Sequence, residues 1–178
     1  HVIYGLPGLK THCKILTVIR REDDQLRSYM HLGTGNYNES TAKLYTDIGL
    51  FTCREEYGSD SVTLFNMLTS YAGSPVYKEF KVAPRVLRKF FEHMLKTETE
   101  NALKGKPAGI SAKINSLVDP KIIELLYKAS QSGVKINLLV RGICCLIPGK
   151  KGLSENITVH SIVGQLLEHS RIFKFENG

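Results

Sequence analysis

The first third of the chain alternates short apolar runs with turn-forming residues. Cys13 to Ile19 is mostly apolar, and Leu26 to Leu32 is a second, weaker strand candidate. The polar turn at residues 22–24 lies between them, so the pattern predicts a β-hairpin. A short strand is also expected at Val2 to Tyr4. A flexible Gly-rich loop at residues 33–36 is expected to end the second hairpin strand.

The rest of the chain changes to helical spacing interrupted by apolar strands. Helices are predicted from Asp60 to about Ala72 and from Pro84 to about Leu103. Ile110 to Val118 is a strand candidate, Asp119-Pro120 is a typical helix start, and Val134 to Val140 is a second strand candidate. Strand, helix and strand at this spacing predict a parallel βαβ unit and an α/β fold.

Two similar strings stand far apart in the chain. Leu9 to Leu16 and Leu166 to Phe173 both fit L-x-x-H-x-[K/R]-I-[L/F]. Chance explains such a match, and so do two domains built on one plan. We favour two domains, with residues 1–78 in the first and residues 79–178 in the second. Fewer elements follow the second copy, so both domains are expected to be incomplete in a fragment of a larger protein.

Charge separates the two predicted domains. Lys plus Arg and Asp plus Glu number 8 and 8 in residues 1–78, but 16 and 9 in residues 79–178, which gives the net charge of +7. A basic excess favours a polyanionic partner, such as nucleic acid, nucleotides, a phosphate chain or an anionic membrane surface. A solvated lysine surface accounts for it equally well.

Composition excludes several classes of protein. No apolar run approaches the roughly 20 residues of a membrane-spanning helix. The four cysteines have no zinc-ligand spacing and form a poor disulfide framework. We therefore expect a reduced protein in the cytoplasm, with peripheral attachment at the inner face of the membrane as an alternative location.

The two similar strings place a histidine two residues before a cation. Residues i and i+2 of a strand share a face, so His12 is expected to project with Lys14, and His169 with Arg171. An imidazole can attack phosphorus while the cation holds the phosphoryl oxygens, and a second histidine can protonate the leaving group. Asn36 in the Gly-rich loop can donate to a phosphate oxygen. The alternative is a pair of structural histidines at strand ends.

Two further residues are candidates for nucleotide contact. Arg141 ends the most apolar strand of the chain, and ligands of α/β sheets bind beyond the carboxyl ends of parallel strands. An arginine there is suited to bidentate phosphate binding, although a partly buried ion pair is equally compatible. Tyr45 can stack on a base, or can be an ordinary core tyrosine.

The H-x-[K/R] pairs resemble the half-motifs of phospholipase D-like enzymes only in part. That pattern continues with an Asp and a G-[GS]-x-N loop, whereas Ile19 and Thr34 stand at two of those positions here. Longer strings resemble the bacterial polyphosphate kinase family, in the same order and over essentially the whole chain. They are Leu9–Lys14, His31–Asn38, Thr41–Asp47, Leu139–Cys144, Gly152–Ile157, Leu167–Ile172 and Phe175–Gly178.

The resemblance implies a fold and a set of roles. The fold is α/β, with two phospholipase D-like domains of mixed sheets flanked by helices. His12 matches the histidine that ATP phosphorylates, and His169 matches the second catalytic histidine. Tyr45, Arg141 and His169 match nucleotide-contacting positions. Phosphate-binding roles are expected for Lys14, Asn36 and Arg171.

The resemblance also implies substrates and a cofactor. The expected activity is the reversible transfer of the ATP γ-phosphate to inorganic polyphosphate, with Mg²⁺ held by residues outside this chain. We expect a homo-oligomeric parent enzyme that needs no nucleic acid, and weak or no activity of the isolated fragment. The alternatives are a phospholipase D-like phosphodiesterase or nuclease, and a polyanion-binding module without catalysis.

Overall fold

The computed structural model describes residues 1–70, 73 and 75–176, and it divides them into two compact units. Unit 1 contains His1–Lys43 and Asp47–Lys81, and unit 2 contains Leu44–Thr46 and the chain from Val82 onward. A short segment within the first half of the sequence thus belongs to unit 2. The domain boundary expected between residues 78 and 79 stays a prediction.

The described chain contains both helices and strands. In order they are β1 (Ile15–Glu22), β2 (Gln25–Gly33), α1 (Glu39–Ala42), β3 (Tyr45–Thr46), β4 (Gly49–Thr52), α2 (Glu55–Ser70), α3 (Leu87–Leu103), β5 (Gly109–Leu117), α4 (Pro120–Gln131), β6 (Lys135–Cys144), β7 (Ile157–His160), β8 (Leu167–Glu168) and β9 (Ile172–Phe175). None of the helices in the described residues has the length and apolar character that crossing a membrane requires.

Unit 1 is built on the predicted hairpin. β1 and β2 pair antiparallel, and β4 pairs antiparallel with β2. Asp23 and Asp24 make the turn with φ values of 44° and 62°, and positive φ at both central residues suits a two-residue hairpin turn. The strand expected at residues 2–4 is wrong, since this exposed run pairs with no strand in the described part of the chain.

Helix α2 packs on one face of the unit 1 sheet. Gly58 allows the close approach, because a Cβ there would lie 3.1 Å from the Cβ of Ser28 on β2. Met30 of β2 and Leu64 of α2 are buried in this small core. The helix begins at Glu55 rather than at Asp60 as predicted, and its expected end at Ala72 lies outside the described residues.

Asp60 is a buried anchor of α2 and not its start. Its carboxylate accepts hydrogen bonds from the backbone N–H groups of Lys78, Glu79 and Phe80 at 2.9, 2.7 and 2.8 Å. Burial acts to raise the pKa of Asp60, but these three donors together outweigh it and the pKa is lowered. The carboxylate therefore fixes the segment after α2 to the helix.

Unit 2 contains the predicted βαβ unit. Its main sheet has the strand order β7-β6-β5-β9, in which β5, β6 and β7 are parallel and β9 is antiparallel to β5. The strands predicted at residues 157–163 and 171–175 are confirmed as β7 and β9, but β7 is shorter. The mixed sheet and its helices confirm the α/β fold class.

The core of unit 2 lies between this sheet and the helices. It consists of apolar residues of α3, α4, the strands and their loops: Leu95, Ile110, Leu117, Ile123, Leu126, Ala129, Val134, Ile136, Leu138, Val140, Leu146 and Ile157. At the start of α4, Asp119 accepts from the backbone N–H groups of Lys121 and Ile122 and forms a bidentate ion pair with Arg88 of α3. Arg88 and then the N–H of Ile122 lower the pKa of Asp119 far below its usual range.

A second, very short sheet joins distant parts of the sequence in unit 2. β3 and β8 pair in parallel, with Tyr45 opposite Leu167 and Thr46 opposite Glu168. Backbone bonds from the N–H of Leu167 to Leu44 O and from the N–H of His169 to Thr46 O, both 3.0 Å long, extend the pairing. This pair positions several of the predicted site residues.

Candidate active site

The predicted site residues fall into two groups, one in each unit. Unit 1 holds His12, Lys14 and Asn36, and unit 2 holds Tyr45, Arg141, His169 and Arg171.

His12 and Lys14 lie immediately before β1, not on it. The expectation that a shared strand face brings them together is therefore wrong in detail, but their side chains do meet. Lys14 Nζ lies 3.0 Å from His12 Nε2 and also donates to the His12 carbonyl oxygen at 2.7 Å. His12 is exposed and Lys14 is half-buried. Since an ammonium group only donates, the contact makes Nε2 the acceptor and leaves the proton of a neutral ring on Nδ1.

The Gly-rich loop is joined to the same segment. The backbone N–H of Gly33 donates to Lys14 O at 2.9 Å, which brings the start of the loop to the end of the histidine segment. Thr34 fixes the loop on its other side, because its hydroxyl accepts from the N–H of Ile48 at 2.9 Å. Asn36 is exposed in this loop.

The Asp47 side chain leaves no room for a side chain at Gly35. A Cβ at this position would lie 1.7 Å from Asp47 Oδ2 and 2.9 Å from Asp47 Cβ. Any side chain would therefore displace Asp47 or the loop that carries Asn36. The conformation of this loop depends on a glycine at position 35.

In unit 2, His169 packs against Tyr45. The ring centroids are 4.6 Å apart with an interplanar angle of 30°, and Tyr45 is 9 % exposed. The backbone bond from His169 to Thr46 lies beside this stack. The pairing of β3 with β8 thus gives the histidine ring a fixed aromatic support.

Arg141 reaches the same segment from within β6, which continues to Cys144 and does not end at Arg141 as predicted. Its Nη1 donates to the carbonyl oxygen of Glu168 at 3.1 Å, and its Nε donates to Asn115 Oδ1 at 3.1 Å. Ser116 and Gly142, which follow Asn115 and Arg141, have φ values of 68° and 89°, and the pairing of β5 with β6 is irregular there. Such an irregularity redirects side chains at the end of a strand.

Arg171 reproduces the arrangement found at Lys14. Its Nη1 donates to the carbonyl oxygen of His169 at 3.3 Å, so in both repeats the cation at i+2 binds the backbone of its histidine. Burial and then the charge of Arg141 lower the pKa of Arg171. Two guanidinium groups that repel each other in a partly desolvated place would gain from a bound anion.

Two residues that hold the side chains of this site were not predicted from the sequence. Lys113 of β5 contacts the segment at residues 168–170. Asn115 of the same strand contacts Arg141. The available signal was the alternation of polar Ser111, Lys113 and Asn115 with apolar residues along this strand. Nothing in the sequence indicated their partners, which lie far along the chain.

The residues described by the structure do not fit a resident metal ion. Among them, no group of three or more His, Cys, Asp and Glu side chains is arranged to hold one.

Comparison with known proteins agrees with the resemblance seen in the sequence. The family profile described as "Polyphosphate kinase C-terminal domain 1" matches residues 1–74, and "Polyphosphate kinase C-terminal domain 2" matches residues 80–178. The polyphosphate kinases of Synechocystis sp. and Parasynechococcus marenigrum are 56 % and 54 % identical over 178 residues. The chain spans about a quarter of the length of these relatives.

A solved structure supports the same conclusion. The crystal structure of polyphosphate kinase from Porphyromonas gingivalis superposes with a TM-score of 0.84 at 36 % identity, and the match covers 98 % of this chain and 29 % of that one. This likeness supports the predicted phospholipase D-like fold class. The chain belongs to the polyphosphate kinase family and corresponds to its C-terminal domains 1 and 2.

Proposed function

We propose that this chain carries catalytic residues of a polyphosphate kinase, which transfers the ATP γ-phosphate reversibly to inorganic polyphosphate through a phosphohistidine at His12. The observation that carries this proposal is the contact between Lys14 Nζ and His12 Nε2. Because Lys14 is the donor, Nε2 carries a lone pair rather than a proton, and this lone pair becomes available for attack when the ammonium shifts to the phosphoryl oxygens.

The first half of the reaction follows from this contact. His12 Nε2 attacks the γ-phosphorus of ATP, an N–P bond forms, and the bond from phosphorus to the β-γ bridging oxygen breaks. The electron pair leaves with ADP. Lys14 lies within reach of the phosphoryl oxygens as they move onto Nε2, because it already lies 3.0 Å from that atom.

The second half returns the histidine to its starting state. A terminal oxygen of polyphosphate attacks the phosphorus, the N–P bond breaks, and the electron pair returns to Nε2. One phosphoanhydride has then replaced another, so the overall transfer is close to balanced and reversible. Asn36, in the loop bonded to Lys14 O through Gly33, is suited to donate to a phosphoryl oxygen.

The unit 2 residues suit a nucleotide-binding role. Arg141 and Arg171 supply guanidinium groups for phosphate, and Tyr45 supports the ring of His169. We infer that His169 is the second catalytic histidine, on the resemblance and on the contacts that Arg141 and Arg171 make with the carbonyl oxygens of Glu168 and His169. Direct contact of Tyr45 with the nucleotide stays a prediction, as do the need for Mg²⁺, the homo-oligomeric state and the cytoplasmic location.

Two histidine variants test the proposal. In the longest available polypeptide that contains this sequence, His12→Asn should abolish both ATP-dependent polyphosphate synthesis and the reverse reaction. His93→Asn, which changes an exposed histidine of α3, should leave both rates unchanged. Full activity of a folded His12→Asn variant would overturn the proposal. Hydrolysis of a phosphodiester without ATP would favour a phosphodiesterase instead.

A further inference from the structure

The segment that carries His169 is held from β5 by one lysine. Lys113 Nζ contacts the Glu168 carboxylate and lies 2.6 Å from Ser170 Oγ. The Lys113 and Glu168 side chains are only 19 % and 23 % exposed, and Ser170 is buried. Lys113 therefore binds the residue before His169 and the residue after it.

Other contacts complete the support of this histidine. Its backbone N–H donates to Thr46 O at 3.0 Å, its carbonyl oxygen accepts from Arg171, and its ring stacks on Tyr45. The backbone bond and the stack fix His169 from the side of β3. From the main sheet, Lys113 of β5 holds the two residues that flank His169.

A second polar residue on the same face of β5 holds Arg141. Lys113 and Asn115 are two positions apart, so they project from one face of the strand. Asn115 accepts from Arg141 Nε, while Arg141 Nη1 donates to the carbonyl oxygen of Glu168. Glu168 is thus bound through its side chain by Lys113 and through its backbone by Arg141.

We propose that Lys113 is a positioning residue, which fixes His169 through Glu168 and Ser170 and neutralises the Glu168 carboxylate beside the nucleotide phosphates. This inference rests on the proposed function. It assigns no contact with substrate to Lys113. It gives β5 the role of setting the geometry of the second catalytic histidine.

Charge gives Lys113 a second effect besides geometry. The hydrogen bond from Lys113 lowers the pKa of Glu168. Glu168 is therefore ionised at neutral pH, and without Lys113 an uncompensated negative charge would lie next to His169. That charge would repel a polyanionic substrate.

The positioning of His169 and the neutralisation of Glu168 can be distinguished by measuring kcat and KM. Lys113→Met should lower kcat about 10- to 100-fold, the scale on which small displacements of catalytic groups act, and should also raise the KM for ATP. The double variant Lys113→Met/Glu168→Gln removes the unpaired charge. It should restore the KM, while kcat stays low because His169 is still unsupported.

A matched ion pair serves as the control. Lys128 and Glu124 are 2.7 Å apart on the exposed side of α4, so Lys128→Met removes an ion pair of similar length that lies outside the candidate site. It should leave kcat and KM unchanged. If Lys113→Met fails to fold, Ser170→Ala and Glu168→Leu each remove one of the two Lys113 contacts, and each should lower kcat.

A spectroscopic measurement tests the positioning without using activity. In protein with ¹⁵N-labelled histidine, the His169 ring signals should carry a ring-current shift from Tyr45, identified by its loss in Tyr45→Leu. The shift should be lost in Lys113→Met and kept in Lys128→Met. The His12 signals should not change.

The outcomes distinguish this inference from the proposed function. Unchanged kcat and an unchanged His169 signal in folded Lys113→Met would overturn the positioning role while the wild type stays active. A wild type that forms no phosphohistidine from ATP would overturn the proposed function instead. The His169 signal would then still decide whether Lys113 holds the ring.

Discussion

Each predicted catalytic histidine is bound by the cation two residues after it. Lys14 and Arg171 both donate to the carbonyl oxygen of their histidine, although one cation is an ammonium and the other a guanidinium. The two repeats therefore share a local geometry as well as a sequence pattern. Lys14 also contacts the ring nitrogen of His12, which favours His12 as the nucleophile.

Gly35 offers a test of the loop geometry at the residue scale. Gly35→Ala should destabilise unit 1 by about 1–3 kcal/mol, because its Cβ would overlap Asp47 and the surroundings must move. It should also slow phosphorylation of His12, since the same loop is bonded to Lys14 O. Denaturant unfolding and the rate of ATP-dependent labelling measure the two effects.

Gly164→Ala is the matched control for Gly35→Ala. A Cβ there has only an ordinary contact, 3.9 Å from Leu166 O. Its free energy of unfolding should stay within about 0.5 kcal/mol of the wild-type value, as for most substitutions at unconstrained positions. Its labelling rate should equal that of the wild type within experimental error. Equal effects of the two substitutions would contradict the steric argument.

The elements place the site through short and irregular parts of the sheets. β3 and β8 have two residues each, yet their pairing brings Tyr45 to His169. The end of β5 carries a bulge where Asn115 meets Arg141. The long elements form the core, and these short ones orient the side chains.

Asp60 provides a pH-dependent test of the attachment between α2 and the segment at residues 78–80. Its folded-state pKa is lowered, so the stability it contributes is present above its unfolded pKa of about 3.9 and is lost as the pH falls below that value. Asp60→Asn should cost about 2 kcal/mol at pH 7. The cost should shrink in unfolding measurements made toward pH 3, and a cost independent of pH would contradict this account.

Asp119 tests the start of α4. Asp119→Ala removes both the N-cap and the ion pair with Arg88, and it should destabilise unit 2 by about 1–2 kcal/mol in thermal or denaturant unfolding. Arg88→Met removes the ion pair alone and should cost less, because that pair is about half exposed. An equal or larger cost for Arg88→Met would show that the cap contributes little.

The sequence could predict the parts of this structure that depend on local patterns. The hairpin, the βαβ unit and the Asp119-Pro120 helix start follow from periodicity and capping. The two histidine motifs can be recognised by comparing the sequence with itself. β3 and β8 could not be predicted, because two residues show no period. The partners of Lys113 lie 55 and 57 positions away and depend on tertiary packing.

At the scale of the whole molecule, charge is distributed unevenly along the sequence. Lys and Arg exceed Asp and Glu by 16 to 9 in residues 79–178. If this excess serves a phosphate chain, polyphosphate affinity should fall steeply as NaCl rises from 50 to about 200 mM, since binding releases counterions. Fluorescence anisotropy with labelled polyphosphate measures the slope, and a flat salt dependence would contradict an electrostatic role.

The central claim is that His12 accepts a phosphoryl group from ATP. The direct measurement is the intact mass of the longest available polypeptide containing this sequence, after incubation with ATP and Mg²⁺. We predict one added phosphoryl group that is acid-labile and maps to the peptide containing His12, and that is missing from His12→Asn but present in His93→Asn. A folded, ATP-binding wild type that gains no phosphoryl group, or gains it at another residue, would contradict the claim.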